Sequence, residues 1–232
     1  MQKFCTECGQ PAGENVKFCP ACGFKLLEAD PASSQEESVF NYNRITVDGN
    51  VTTRWIEELR CSAQTITIDS LPMSLGEFVT MPEAALKTPF QTPLMLVIAL
   101  ANYKDNRDIA FAMINHLRGP QPLTQREIGF INDRMAQNGK AAFIAESYFN
   151  GAKPENDYTP DRPYSMTISE SPYSYDGKGY AKLFIASGDA DSPRAVTSRQ
   201  AKDGKWYLWE FSSVLSDIRA PESTTPWVQS NP

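Results

Sequence analysis

Two pairs of cysteines at the start of the chain constrain its fold more than any other feature. Cys5 and Cys8 form one C-x-x-C, Cys19 and Cys22 form another, and ten residues separate the pairs. Both pairs sit in the same local frame, Phe4-Cys5-Thr6-Glu7-Cys8-Gly9 and Phe18-Cys19-Pro20-Ala21-Cys22-Gly23. Two intervening residues let a tight turn aim both sulfurs at one point, and the glycine after each pair supplies the positive φ such a knuckle needs. Two knuckles complete a tetrahedral shell of thiolates around one zinc ion, with Zn–S distances of about 2.3 Å. All four positions are protein ligands, so the expected metal is structural, with no place left for water or substrate.

Disulfides or a redox C-x-x-C are the alternatives, but a thioredoxin-like pair belongs in a βαβ setting that the flanking sequence lacks. Residues 1–27 are too few to fold around an apolar core of their own. Metal binding, worth on the order of 10–16 kcal/mol in such peptides, has to supply the folding free energy. The stretch resembles the short zinc ribbons at the N-termini of many bacterial proteins, a likeness confined to Cys5, Cys8, Cys19 and Cys22. Cys61, the fifth cysteine, has no partner in sequence and reads as a buried free thiol.

Lys3, Lys17 and Lys25 face Glu7 and Glu14 within the ribbon, too weak a charge to grip a phosphate backbone. The next stretch, Glu28 to Ser38, carries Glu28, Asp30, Glu36 and Glu37 and no basic residue, the composition of a flexible acidic linker over residues 28–38. The whole chain has a formal charge of −6, which also argues against coating nucleic acid or an anionic membrane. The longest apolar run, Leu94 to Ala101, is eight residues, far below the roughly 20 a membrane helix needs. The start of the chain lacks a signal-peptide pattern, and metal-spaced cysteines favour a reducing compartment. The expected location is the cytoplasm.

From residue 39 onward the pattern is that of a folded domain, 39–232. In "NRITVDGNVTTRWIEEL" Asp48-Gly49 turns a hairpin or joins a strand to a short helix, and the pattern leaves both open. Helices are expected over about 74–149. Ser74 and Glu77 have capping-box spacing, and Pro82 interrupts the helix they start. Thr92-Pro93 begin another, "LMLVIALANY", that is apolar nearly all round and therefore central. Asp105 is the expected cap of the next helix, with Ile109, Met113, Ile114 and Leu117 as its apolar stripe and Gly119-Pro120 as its stop. Thr124 and Glu127 form a second capping box, and a further helix is expected over about Lys140–Phe149.

After Gly151 the period becomes two. Tyr164, Met166 and Ile168 alternate with polar residues, and Lys202-Asp203-Gly204 turns the chain into "KWYLWEF". Strands are expected over about 163–211, with a tail over 212–232. The fold class is thus α+β: a zinc ribbon, an acidic linker, then a helical half followed by an antiparallel β-sheet.

The segments "NDYTPDRPYSMTISESPYSYDGKGYAKLFIASGDADSPR" and "DGKWYLWEFSSVLSDIRAPESTTPWV" resemble the C-terminal half of an uncharacterised bacterial family that joins an N-terminal zinc ribbon to a domain of unknown function. "LPMSLGEFVTMPEAALKTPF" and "NHLRGPQPLTQREIGFINDRM" are similar to its helical half, so the likeness spans most of residues 70–228. Where that family's tail typically reads Asp-Pro-Trp-Ala, this chain has Thr225-Pro226-Trp227-Val228. The resemblance implies an architecture and no activity.

Candidate site residues outside the ribbon are few. His116, the sole histidine, reads as a helix-end surface residue, which disfavours Ser-His-Asp chemistry. Asp189, Asp191 and Arg194 lie between two expected strands, either as a small ion or acid–base site or as an ordinary strand connection satisfying its own backbone. The aromatics of the last third are more suggestive. Tyr173, Tyr175, Trp206 and Trp209 stand with Tyr158, Tyr164, Tyr180 and Tyr207 in a stretch that puts rings on both faces of "KWYLWEF": Trp206 on one, Tyr207, Trp209 and Phe211 on the other. Either residues 215–228 fold back over the outer face, or an aromatic surface is left for a Pro-rich or extended peptide.

The function expected is a non-enzymatic, zinc-binding adaptor with a protein or peptide partner. A nucleic-acid-associated regulator and a hydrolase built on Asp189 or Asp191 are the alternatives.

Overall fold

The computed structural model describes residues 45–224 and the two short segments Lys3–Phe4 and Pro11–Ala12. Those segments, β1 and β2, pair antiparallel with Phe4 opposite Pro11 and Lys3 opposite Ala12. Cys5, Cys8, Cys19, Cys22 and the acidic stretch 28–38 lie outside the described residues. The chain divides into two compact units, Met1–Asn41 and Tyr42–Pro232.

The second unit opens with the hairpin that the sequence left undecided. β3 (Ile45–Asp48) and β4 (Val51–Ile56) are joined by Gly49-Asn50, with Gly49 at φ 58°, the positive angle a tight two-residue hairpin asks of its first loop residue. β5 (Cys61–Ile68) comes next. Three strands therefore precede the helices, which corrects the expected order of a helical half and then a sheet. Their Thr-rich sequences bury little, so the period-two signal is weak there.

After β5 come α1 (Leu75–Thr80), α2 (Gln91–Ala101), α3 (Arg107–Arg118) and α4 (Gln125–Ala136). Local chemistry fixes their ends. Ser74 Oγ accepts from Glu77 N–H at 3.2 Å, although Glu77 reaches back to Met73 N–H rather than to Ser74. The Thr124–Glu127 box closes in full, with Thr124 N–H donating to Glu127 at 2.8 Å. Asn106, not Asp105, caps α3, its Oδ1 accepting from the N–H groups of Asp108 and Ile109. The expected helix over 140–149 is instead two 3₁₀ turns, Gln137–Ala142 and Glu146–Tyr148, with Gly139 at φ 70° inside the first. A residue held at positive φ breaks the α-helical run.

The chain then returns to the sheet through β6 (Tyr164–Ser169), β7 (Tyr180–Ile185), β8 (Arg194–Gln200) and β9 (Trp206–Glu210). The seven strands of this sheet lie in chain order and every pairing is antiparallel. The helices form one long insertion between neighbours β5 and β6, and they cover one face. From Thr92 to Ala101 every residue of α2 is buried, as an apolar perimeter requires. It shares one buried core with Met166, Ile168, Leu183, Ile185, Val196 and Leu208, all essentially inaccessible. Burying each such side chain contributes about 1.5–3 kcal/mol.

The opposite face is different in kind. Across β5 and β6, Thr65 stands against Thr167 and Thr67 against Ser165, and the two Thr hydroxyls share a hydrogen bond of 2.9 Å.

The two sheet edges also differ. β9 has much of its outward main chain engaged: Trp206 N–H donates to Leu86 O, Thr92 Oγ1 donates to Trp206 O, and Arg118 Nη1 donates to the carbonyls of Leu208 and Trp209. Such capping blunts the template an edge strand offers to other chains. β3, at the far edge, is exposed throughout.

Candidate functional site

β9 decides what the outer face presents. Strict alternation puts Tyr207, Trp209 and Phe211 on one face, and the structure departs from this. Ser198 pairs with Leu208 and Thr197 with Glu210, so Trp209 is an extra residue in β9. This bulge turns Glu210 outward and sends Phe211 into the core, where it is buried. Trp206 lies on the face of Leu208, half-buried, and so belongs to a different surface from Trp209.

Trp209 remains outside, 37% exposed, and meets side chains that β7 and β8 bring to the same end. Tyr180 and Arg199 are cross-strand partners. The Trp209 ring stands edge-on to Tyr180 at 5.6 Å between centroids, and the Arg199 guanidinium lies 4.9 Å from the Trp209 ring centre and 5.0 Å from that of Tyr180. Each such cation–ring contact contributes roughly 0.5–1 kcal/mol at an exposed site, and together they hold the guanidinium in place.

Beside this cluster runs an open groove of about 590 Å³. One wall is the turn after α3, including Arg118, Pro120 and Gln121, and the other is the β8–β9 turn with Gln200, Lys202 and Asp203; Tyr207 and Trp209 line it between them. Gly119 makes the close approach possible. At φ 55° it is in the left-handed region, and a Cβ there would come within 2.3 Å of the Tyr207 ring.

Arg118 is nearly buried and already engaged. Besides the β9 carbonyls, it holds Gln121 O through Nε at 3.1 Å and Glu127 at 3.0 Å. Burial works to raise the Glu127 carboxyl, but the Thr124 hydrogen bonds and Arg118 outweigh it and hold it below the usual value. Asp203 accepts from Lys205 N–H at 3.0 Å and from Tyr207 Oη at 2.8 Å, contacts that lower its pKa, while burial and the Asp203 charge push the Tyr207 phenol up.

The other expected site residues are placed elsewhere. Asp189 and Asp191 both face Arg219, at 2.9 and 3.6 Å, and Arg194 Nη2 donates to Asp217 O at 3.2 Å. Tyr158 Oη adds a bond to Arg219 O at 3.1 Å. The loop thus fastens the chain after β9, and Val214, Leu215 and Ile218 sink into the core. Val214, Leu215 and Ile218 belong to the same buried cluster as the inner-face strand residues, and Trp209 on the outer face stays 37% exposed; residues 225–228 lie outside the described residues. Burial raises the Asp189 carboxyl against the pull of Arg219.

Arg194 and Arg199 sit five residues apart on β8, roughly 17 Å along the strand, so this cluster and the aromatic one are separate places. Tyr173 is 90% exposed in the β6–β7 connection, and Tyr175 beside it donates its hydroxyl to Glu170. His116 is exposed near the end of α3, edge-on to Phe78, and Cys61 is buried and free, its thiol pushed up by burial.

A larger hollow of about 840 Å³ lies around Asp69, Glu77 and Glu83. Two of its three acids are taken up locally, Glu77 by the α1 cap and Glu83 by Asn50 Nδ2 at 2.7 Å. Among the described residues, no group of three or more His, Cys, Asp or Glu is arranged to hold a metal, and no helix is long and apolar enough to cross a membrane.

Together these features define a zinc-ribbon protein with an α+β domain. Residues 4–26, which include all four ribbon cysteines, match the zinc-ribbon domain family, whose members bind zinc. Residues 70–222, more than half of the chain, match the family described as "Domain of unknown function (DUF6935)", and the chain belongs to that family. No curated protein and no solved structure matches it.

Proposed function

We propose that the protein is a non-enzymatic adaptor of the cytoplasm: one structural zinc shapes the ribbon, and the α+β domain recognises a protein or peptide in the groove beside Trp209. The observation that carries this reading is the make-up of the groove. It joins exposed aromatic surface to fixed long-chain cations, the pairing typical of recognition surfaces. Its single carboxylate, Asp203, is engaged by its own turn. Asp189 and Asp191, the acids a hydrolase would draw on, are paired with Arg219.

The test is a photo-crosslinking residue in place of Gln200 in the full-length chain, expressed in the native cell. The reading expects a covalent adduct with protein that survives nuclease and disappears when Trp209→Ala is added. An adduct with nucleic acid, or none at all, overturns it. Elemental analysis checks the metal, with about one zinc per chain expected and less than half of it retained by Cys8→Ser.

A further inference from the structure

We infer that the segment this groove receives is acidic, and that Arg199 selects it; this rests on the peptide-binding reading above. Hydrogen-bond accounting around the groove points one way. Its carboxylate and three of its carbonyls are engaged: Gln121 O and the carbonyls of Leu208 and Trp209 by Arg118, and Asp203 by Tyr207 and Lys205. Arg118 is spent as well.

Among the groove's charged groups, Arg199 and Lys202 are the exception. Both are exposed, and among the described residues their side chains make no hydrogen bond and no ion pair. Arg199 is also held in place, because the Tyr180 and Trp209 rings both contact its guanidinium without using its N–H groups. A guanidinium immobilised on rings loses little side-chain entropy when a carboxylate arrives, and its fork suits two-point contact with one.

Charge sets the size of the target. From Arg199 to Lys205 three cations stand against one carboxylate, in a chain whose formal charge is −6. The local field attracts an anion while the distant field repels one. A short acidic segment fits that combination better than a long polyanion. The capped edge of β9 adds a restriction: Trp206 N–H and the carbonyls of Trp206, Leu208 and Trp209 are occupied, so the segment is held by its side chains and not as an added strand. Trp209 and Tyr207 then provide an apolar floor for a ring flanking the acid.

Three fluorescein-labelled peptides test this against the full-length chain by anisotropy at low salt: Gly-Glu-Phe-Asp-Phe-Glu-Gly, its amide counterpart Gly-Gln-Phe-Asn-Phe-Gln-Gly, and Gly-Lys-Phe-Lys-Phe-Lys-Gly. The acidic probe is expected to bind about tenfold tighter than the amide probe and the basic probe weakest. Arg199→Gln should remove most of that preference, and Arg199→Lys should keep part of it, with unfolding midpoints confirming that both variants fold. Equal binding of the acidic and amide probes overturns the acidic selection and leaves the peptide groove standing. Binding by none of the three overturns the groove and the selection together.

Discussion

Leu183 and Lys182 are neighbours in β7, yet one is sealed beneath the helices and the other stands exposed on the opposite face. The same contrast runs through the whole sheet. The inner face is lined by large aliphatic side chains whose loss leaves a cavity. The outer face is threonine and serine across β5 and β6 and changes to rings and cations over β7 to β9. The inner face is explained by folding alone. The outer cluster is not, because polar residues would satisfy an open face equally well. Rings kept in the open, next to cations without partners among the described residues, are better explained by a ligand.

This contrast can be broken or sharpened by substitution. The largest effect belongs to the inner face. Leu96→Ala, at a fully buried position, should cost about 3–5 kcal/mol in urea unfolding, and a loss under 1 kcal/mol would mean the helices do not pack as described. Next comes the capped edge. Arg118→Ala leaves two β9 carbonyls and the Oε1 of Glu127 without their donor, at an expected cost of about 2–4 kcal/mol, and should speed hydrogen exchange along β9 before that of β6.

Smaller again is Thr124→Ala, at about 1 kcal/mol for a lost N-cap. The Glu127 partner gives it a pH signature. Its folded pKa is depressed, so its contribution is present above the ordinary carboxylate value of about 4.3 and disappears as pH falls through the lower folded value. The difference in melting temperature between the wild type and Thr124→Ala should therefore narrow in acid. Tyr173→Ala, on a ring that is 90% exposed, should stay within about 0.5 kcal/mol.

The parts of the fold that are legible in the sequence are those with local determinants. The Thr124–Glu127 box, the apolar perimeter of α2, the alternation of β6 and the Asp203-Gly204 turn depend on residues a few positions apart, and the structure has them where the pattern put them. β3, β4 and β5 are not legible as such, because β3 is exposed and β4 and much of β5 are only half-buried and Thr-rich.

The site depends on relations that no short window contains. The extra residue at Trp209 reverses the side on which Phe211 falls, and only the pairing with β8 reveals it. Tyr180, Arg199 and Trp209 are distant in sequence and meet through register. Arg199 carries no signal of its own, although the aromatics around it do. The reading of Asp189, Asp191 and Arg194 turns on Asp217 and Arg219, residues that nothing in the sequence pattern ties to that loop.

The most direct test of the claim that the outer cluster serves a ligand is the unfolding free energy of Trp209→Ala measured beside that of Leu183→Ala. The two side chains lie on opposite faces of the same sheet. Leu183→Ala should lose about 3–5 kcal/mol. Trp209→Ala should lose only about 1–2 kcal/mol, the worth of its contacts with Tyr180 and Arg199. A Trp209→Ala loss as large as that of Leu183→Ala would contradict the account, since it would make the outer rings part of a second core and not a surface held open for a partner.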